Sequence, residues 1–310
     1  MQLGNGFKLV YEKGIGSARK LYASKQYIPT ETDGELDPNL DALGGVKLVY
    51  QKGGKIWGSK ESYPTSDDTS ATITVDGTPL FIDSDGSQII SSEGALKEAI
   101  KAGGNVKLED NITDVKESIE VTKNTSLDLA GKTISGTVDT PGKVALFQVS
   151  DCDLTIKGTG TINIDAYCVG VGATSTGASG NVTIEDGTFE TQSAPAVQVE
   201  KGTLTIKGGS FKTTYKEPTY LINVINGSRD ESTVKISGGR FYQFDPSHVN
   251  EGETTSFVEE GYKVVKEGDW CVVVTEDTVA SASTKDELLY DIANGGDIKI
   301  TTDITGVDSR

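Results

Sequence analysis

Between Asn181 and Phe241 the chain spells one pattern three times. Asn181-Val-Thr-Ile-Glu-Asp-Gly-Thr-Phe189 is followed by Thr203-Leu-Thr-Ile-Lys-Gly-Gly-Ser-Phe211 and then by Thr233-Val-Lys-Ile-Ser-Gly-Gly-Arg-Phe241. Each copy reads as a short alternating strand, a glycine kink and a closing aromatic. Looser copies precede them at Leu127–Ile134 and Leu154–Ile162. Taking Leu129, Ile156, Ile184, Ile206 and Ile236 as equivalent, the spacings are about 27, 28, 22 and 30 residues. A repeat of that length is one coil of a solenoid, and strands with no helix between them make it a β-solenoid. The expected fold is all-β, a single-stranded parallel β-helix with an N-terminal pair of β-hairpin anchor repeats.

Those anchor repeats are a second, unrelated duplication. Phe7-Lys-Leu-Val-Tyr-Glu-Lys-Gly14 returns as Val46-Lys-Leu-Val-Tyr-Gln-Lys-Gly53, and Lys20–Lys25 returns as Lys55–Lys60. Each half reads as a hairpin. A lone hairpin is marginal in water, so the two are expected to pair together or to lie on another surface. Glu31 to Asp41 is acidic and turn-rich, a linker pattern. The expected layout is tandem anchor repeats over 1–69, a connecting hairpin over 70–91, the β-helix over 92–275 and the start of a second cap over 276–310.

Two helices punctuate the strands. Leu96, Ala99 and Ile100 form an apolar stripe between Ser92 and Gly103-Gly104, a helix suited to plug the open end of a solenoid. Leu288 to Val307 repeats Leu96 to Val115 at an offset of 192, with a capping-box pattern at Thr284-x-x-Glu287. Such a cap calls for a coil to follow. The expectation is that a longer protein has been cut near Arg310, the alternative being a cap that packs on another subunit.

Charge excludes some functions. The chain of 310 residues carries 29 Lys+Arg against 46 Asp+Glu, a formal charge of -17. Such a surface repels phosphate backbones, so nucleic acid is not an expected partner. Residues 1–64 hold nine Lys/Arg and seven Asp/Glu, a mildly basic head of about +2 that leaves about -19 for the remainder. Cys152, Cys168 and Cys271 are unclustered and His248 is the single histidine, so neither a disulfide framework nor metal-ligand spacing is present. No cofactor is expected. No run approaches membrane-spanning length and no leader pattern opens the chain, so synthesis in a cytoplasm and no membrane are expected.

Catalytic patterns are thin. Asp151 with Asp153, and Asp110 with Asp114, offer carboxylate pairs of the type used in glycoside chemistry. Acidic residues are so frequent here that such pairs arise by chance. Arg229 and Arg240 have no marked partner, His248 follows a Pro-Ser turn without a nucleophile motif, and Gly170–Gly177 lacks the ending of a phosphate loop. The chain is therefore expected not to be an enzyme. Aromatic and cationic residues concentrate in the anchor: Lys8, Tyr11, Tyr22, Lys25, Tyr27, Lys47, Tyr50, Trp57, Lys60 and Tyr63. That composition fits an interface, and equally the packing of two hairpins.

The stretch Gly238-Gly-Arg-Phe-Tyr242, Asp245-Pro-Ser247 and Phe257-Val-Glu-Glu-Gly-Tyr262 resembles the rung-and-terminator signature of β-helical surface proteins from gut bacteria and their phages. With the tandem N-terminal repeats, the chain is similar to head fibres or capsid-decorating proteins of crAss-like gut bacteriophages, over roughly residues 92–275 for the solenoid. The resemblance implies a homotrimer at the virion surface, a foot on a capsid or other virion protein, and a shaft touching host or mucus glycans. Two other readings stay open: a polysaccharide-degrading tail-spike or depolymerase fragment, and an exported bacterial β-helix adhesin.

Overall fold

The computed structural model describes residues 87–307 apart from 91, 139–144, 174, 215–219 and 251–253. It also describes the backbone of six N-terminal strands: Lys8–Lys13, Arg19–Ser24, Val46–Lys52, Lys55–Trp57, Ala71–Val75 and Thr78–Ile82. The chain forms two compact units, Met1–Asn111 and Ile112–Arg310.

In the first unit the two anchor repeats belong to different sheets. Lys8–Lys13 pairs antiparallel with Arg19–Ser24 in a sheet of its own. Val46–Lys52 pairs with Lys55–Trp57 on one edge and with Ala71–Val75 on the other. The second repeat is thus continued by the connecting hairpin rather than by the first repeat. The registers also differ: Tyr22 lies opposite Val10, whereas its counterpart Trp57 lies opposite Tyr50 and not Val49. The shorter turn of the second copy shifts the pairing by one residue, as loop length sets hairpin register.

The same unit ends in a β-α-β segment. Gln88–Ile90 runs into helix α1, Glu93–Ala102, which returns to Gly104–Leu108 parallel to the first strand. Ser92 caps the helix through its hydroxyl, which accepts from Ala95 N at 3.3 Å. Gly103, at φ 78, ends it. Leu96, Ala99 and Ile100, the stripe expected from the spacing, are buried, and so is Ala95.

The second unit is mostly β, with parallel sheets stacked in a solenoid-like way. The chain visits three sheets in turn. The first contains Ile119–Val121, Ala145–Val149, Tyr167–Val171, Val197–Val199 and Ile222–Val224. The second contains Thr125–Asp128, Asp153–Lys157, Gly180–Ile184, Gly202–Ile206 and Ser232–Ile236. The third contains Ile112–Val115, Thr133–Gly136, Thr161–Ile164, Thr188–Thr191, Ser210–Thr213 and Arg240–Tyr242.

In the second and third sheets alternation sends apolar side chains inward and Thr, Asn or charged ones outward, because successive side chains of a strand face opposite ways, whereas Ala145–Val149 and Val197–Val199 of the first sheet are buried throughout. Inward residues then stack coil on coil. Ile112, Ile134, Ile162, Phe189, Phe211 and Phe241 form one row, and the three rings stack at 4.9 and 5.0 Å between centroids. Leu127, Ile156, Ile184, Ile206 and Ile236 form another. Here the expected equivalence is corrected: Leu127, not Leu129, stands opposite Ile156. Leu129 is buried too, but it sits just beyond the strand, ahead of a turn in which Ala130 has φ 48 and its N–H donates to Asp128 Oδ1 at 2.8 Å.

The repeated kink is a backbone requirement. Gly187, Gly209 and Gly239 occupy equivalent places with φ of 117, 95 and 96, a region costly for residues with a Cβ. The stack ends unevenly. The third sheet continues antiparallel into Trp270–Thr275 and Tyr262–Glu267, which form a closing hairpin. The second meets a single bridge among the described residues, Ile236 to Val258. Helix α2, Lys285–Asn294, lies against Tyr262–Glu267, and Ala280–Ala282 pairs parallel with Ile298–Ile300 around it.

Candidate functional site

Of the anchor residues, Lys8, Tyr11, Tyr22, Lys47, Tyr50 and Trp57 lie on strands, and Lys25, Tyr27, Lys60 and Tyr63 lie outside the described residues. Tyr11 stands opposite Leu21, and Lys47 opposite Thr74. The backbone therefore does not gather the set on one sheet.

The carboxylates of the coils hold the turns together. Asp151 Oδ1 accepts from Ser179 N at 3.0 Å, and Asp153 Oδ1 accepts from Asn181 Nδ2 at 3.0 Å, each bonding to the next coil. Asp153 N in turn donates to Asn124 Oδ1 of the coil before. This ladder engages Oδ1 of each carboxylate. Further along, Lys207 pairs with Glu185 at 3.8 Å, and Lys201 with Glu231 at 3.3 Å.

His248 lies in a cluster whose composition suggests a catalytic triad. Ser247 Oγ donates to Asp245 Oδ1 at 2.6 Å and lies 2.9 Å from His248 Nδ1, which is itself 3.3 Å from Asp245 Oδ2. A nucleophilic serine needs the base on one ring nitrogen and the orienting carboxylate on the other. Here both partners meet Nδ1, and the serine proton goes to the carboxylate. The Tyr290 hydroxyl also donates to Asp245 Oδ2, at 2.5 Å, so the group ties the loop to α2. Burial first, and then Asp245, push the Tyr290 phenol far above its ordinary range.

All three cysteines are buried. Burial raises their thiols, Cys271 to about 11, which leaves them protonated and poor nucleophiles. Among the described residues no His, Cys, Asp and Glu cluster could hold a metal, and no helix is long and apolar enough to cross a membrane.

What the sequence does not reveal is a strip of cations and rings where the stack closes. Arg240 lies over the Trp270 ring at 4.3 Å, and Lys212 over Tyr242 at 4.8 Å. Tyr242 meets Trp270 edge-on at 5.3 Å. Register explains it: Arg240 and Tyr242 share the outward side of one strand, and the closing strand brings Trp270 opposite Tyr242. The signal available in sequence was the Arg-x-Tyr alternation; its partner required knowledge of the closing hairpin. Near the same end, Val224, Arg229, Ser232, Val234, Thr255 and Phe257 line a cleft of about 380 Å³. Arg229 donates to Asn226 Oδ1 at 3.0 Å at its rim. Together these supply apolar faces, cations and hydroxyls, groups that suit a polyhydroxyl or anionic ligand.

No family model matches the chain, and neither a curated protein nor a solved structure was found to match it.

Proposed function

We propose that this is a non-enzymatic structural protein, a single-stranded parallel β-helix that projects from N-terminal hairpin repeats and displays its outer faces. In this reading it is a virion component, a head fibre or capsid decoration. The repeats attach to a capsid or other virion protein, three copies assemble, and the distal surface touches host or mucus glycans.

The observation that carries the reading is how the coils use their polar residues. Asp151, Asp153, Asn181, Glu185 and Lys207 bond from coil to coil, so the rows that could have carried chemistry stiffen a shaft. The strip formed by Lys212, Arg240, Tyr242 and Trp270 supports contact with a glycan. The basic head on an acidic body supports attachment through residues 1–64.

Two measurements test it. Deleting residues 1–64 is expected to abolish incorporation into particles, and unchanged incorporation would contradict the attachment. Incubating the full chain with capsular and mucin glycans is expected to yield retention without new reducing or unsaturated ends. New ends would replace this reading with the depolymerase one.

A further inference from the structure

The two β-α-β segments match residue for residue and differ in what they bury. Gln88 pairs with Val106 and Ile90 with Leu108; at the offset of 192, Ala280 pairs with Ile298 and Ala282 with Ile300. Ser92 and Thr284 occupy the same N-cap, and Gly103 and Gly295 the same C-cap. In the first segment, which leads in sequence into the coils beginning at Ile112, Leu96, Ile100, Val106 and Leu108 are at most 1% exposed. In the second, Ile292 is 57% and Ile300 58% exposed, with Leu288 and Ile298 half-buried.

The second helix is held from its other side. At the places of Ala95 and Ala99 stand Glu287 and Asp291, both buried. Glu287 accepts from Ser283 N, Thr284 N and Gly268 N, and Asp291 accepts from Lys266 N. These bonds fix α2 on the closing hairpin without using its apolar stripe. Ile298–Ile300 is also paired on one edge only, with Ala280–Ala282, among the described residues. An apolar face beside an unpaired parallel strand edge is a seat for one more strand and its inward row.

We infer that this face is the seat of a β-coil laid on in the same direction as those that follow Leu108, which makes residues 280–300 the N-terminal cap of a further solenoid. The occupant presents a strand parallel to Ile298–Ile300 and an inward row of Ile, Leu or Val. A second copy of this chain fits the seat less well. Residues 276–310 hold three basic and eight acidic residues, and a copy brings a charge of -17 to an already acidic surface. A coil joined to the cap through the chain has no such encounter to overcome. The inference stands apart from the virion reading and survives its failure.

The test extends the full chain. A second copy of residues 116–275 is joined after Val307, the place that Val115 holds in the first segment. An Ile292→Cys reporter is titrated with a thiol reagent in the 310-residue and extended chains. The appended coils are expected to fold, by the gain in strand circular dichroism, and to slow the reporter at least about tenfold, while hydrogen exchange slows over 285–300. Ile300→Asp in the extended chain is expected to restore the fast rate. A reporter rate unchanged by extension would overturn the inference. So would appended coils that stay unfolded, since the same residues fold behind the first cap. Sedimentation of the unextended chain and of its Ile292→Asp variant supplies the third arm: the same oligomeric state is expected for both, and an oligomer dissolved by Ile292→Asp would give the seat to a second copy and overturn the inference.

Discussion

In the coil stack the buried positions are Ile, Leu, Val and Phe repeated in register, whereas α2 reaches the same unit through two carboxylates. The stack derives its strength from area: each coil covers the row of the one before, and the stacked rings of Phe189, Phe211 and Phe241 add about 0.5–1.5 kcal/mol per pair beyond burial. The α2 contact derives its strength from hydrogen bonds to a charge. Glu287 is buried, and burial alone would raise its pKa. The N–H groups of Ser283, Gly268 and Thr284, with the Ser283 hydroxyl, outweigh that and hold it at about 2. Asp291 goes the other way: burial raises it despite the bond from Lys266 N, and its Oδ2 has no partner among the described residues. The difference teaches that a repeat can keep its backbone register while exchanging the means by which its helix is held.

The sharpest way to break the comparison is to cut the stack. Phe211→Ala removes the middle ring and is expected to cost about 3–5 kcal/mol. Urea unfolding followed by strand circular dichroism reads it as an earlier midpoint for the whole unit. Gly202→Ala comes next, at about 2–3 kcal/mol from strain and overpacking. Gly202 has φ 115, and a Cβ there would sit 2.0 Å from the Gly180 carbonyl oxygen, backbone that cannot swing away.

Substitutions at the helix are expected to act locally. Glu287→Ala should cost about 2 kcal/mol, read as faster hydrogen exchange over 285–300 with the coils unchanged. The pH dependence has a defined sign. A carboxyl held near 2 against an ordinary 4.5 contributes stability above 4.5, lost as pH falls from 4.5 towards 2. Exchange at α2 should therefore accelerate over that window before the coils respond. Asp291 is raised, so its contribution is present at low pH and lost as pH rises through its folded pKa. Asp291→Asn is accordingly expected to slow exchange of α2 at neutral pH, a gain of about 1 kcal/mol. A loss of protection instead would mean that the carboxylate is a net stabiliser.

Much of this was legible in the sequence for one reason: stacked coils force equivalent residues into equivalent places, so Ile184, Ile206 and Ile236 announce their row. Leu129 is indistinguishable from Leu127 by pattern, because both are apolar, two residues apart and buried. The strand ends at Asp128, which leaves Leu127 on it and Leu129 beyond it. Pairing of the two anchor repeats was not legible, because hairpins of equal pattern carry no mark of which edge each one seeks. The Arg240–Trp270 contact depends on a closing strand outside the repeat. The change at α2 did leave a trace, since Ala95 and Ala99 become Glu287 and Asp291, but an apolar stripe at helical spacing reads as buried whichever side docks.

Hydrogen exchange over the full chain tests most directly the claim that the coils are complete and the C-terminal cap is not. Amides of the coil strands between 119 and 242 are expected to exchange together and slowly, while α2 and residues 298–300 exchange at least about a hundredfold faster. Equal protection of α2 and the coils would contradict the account.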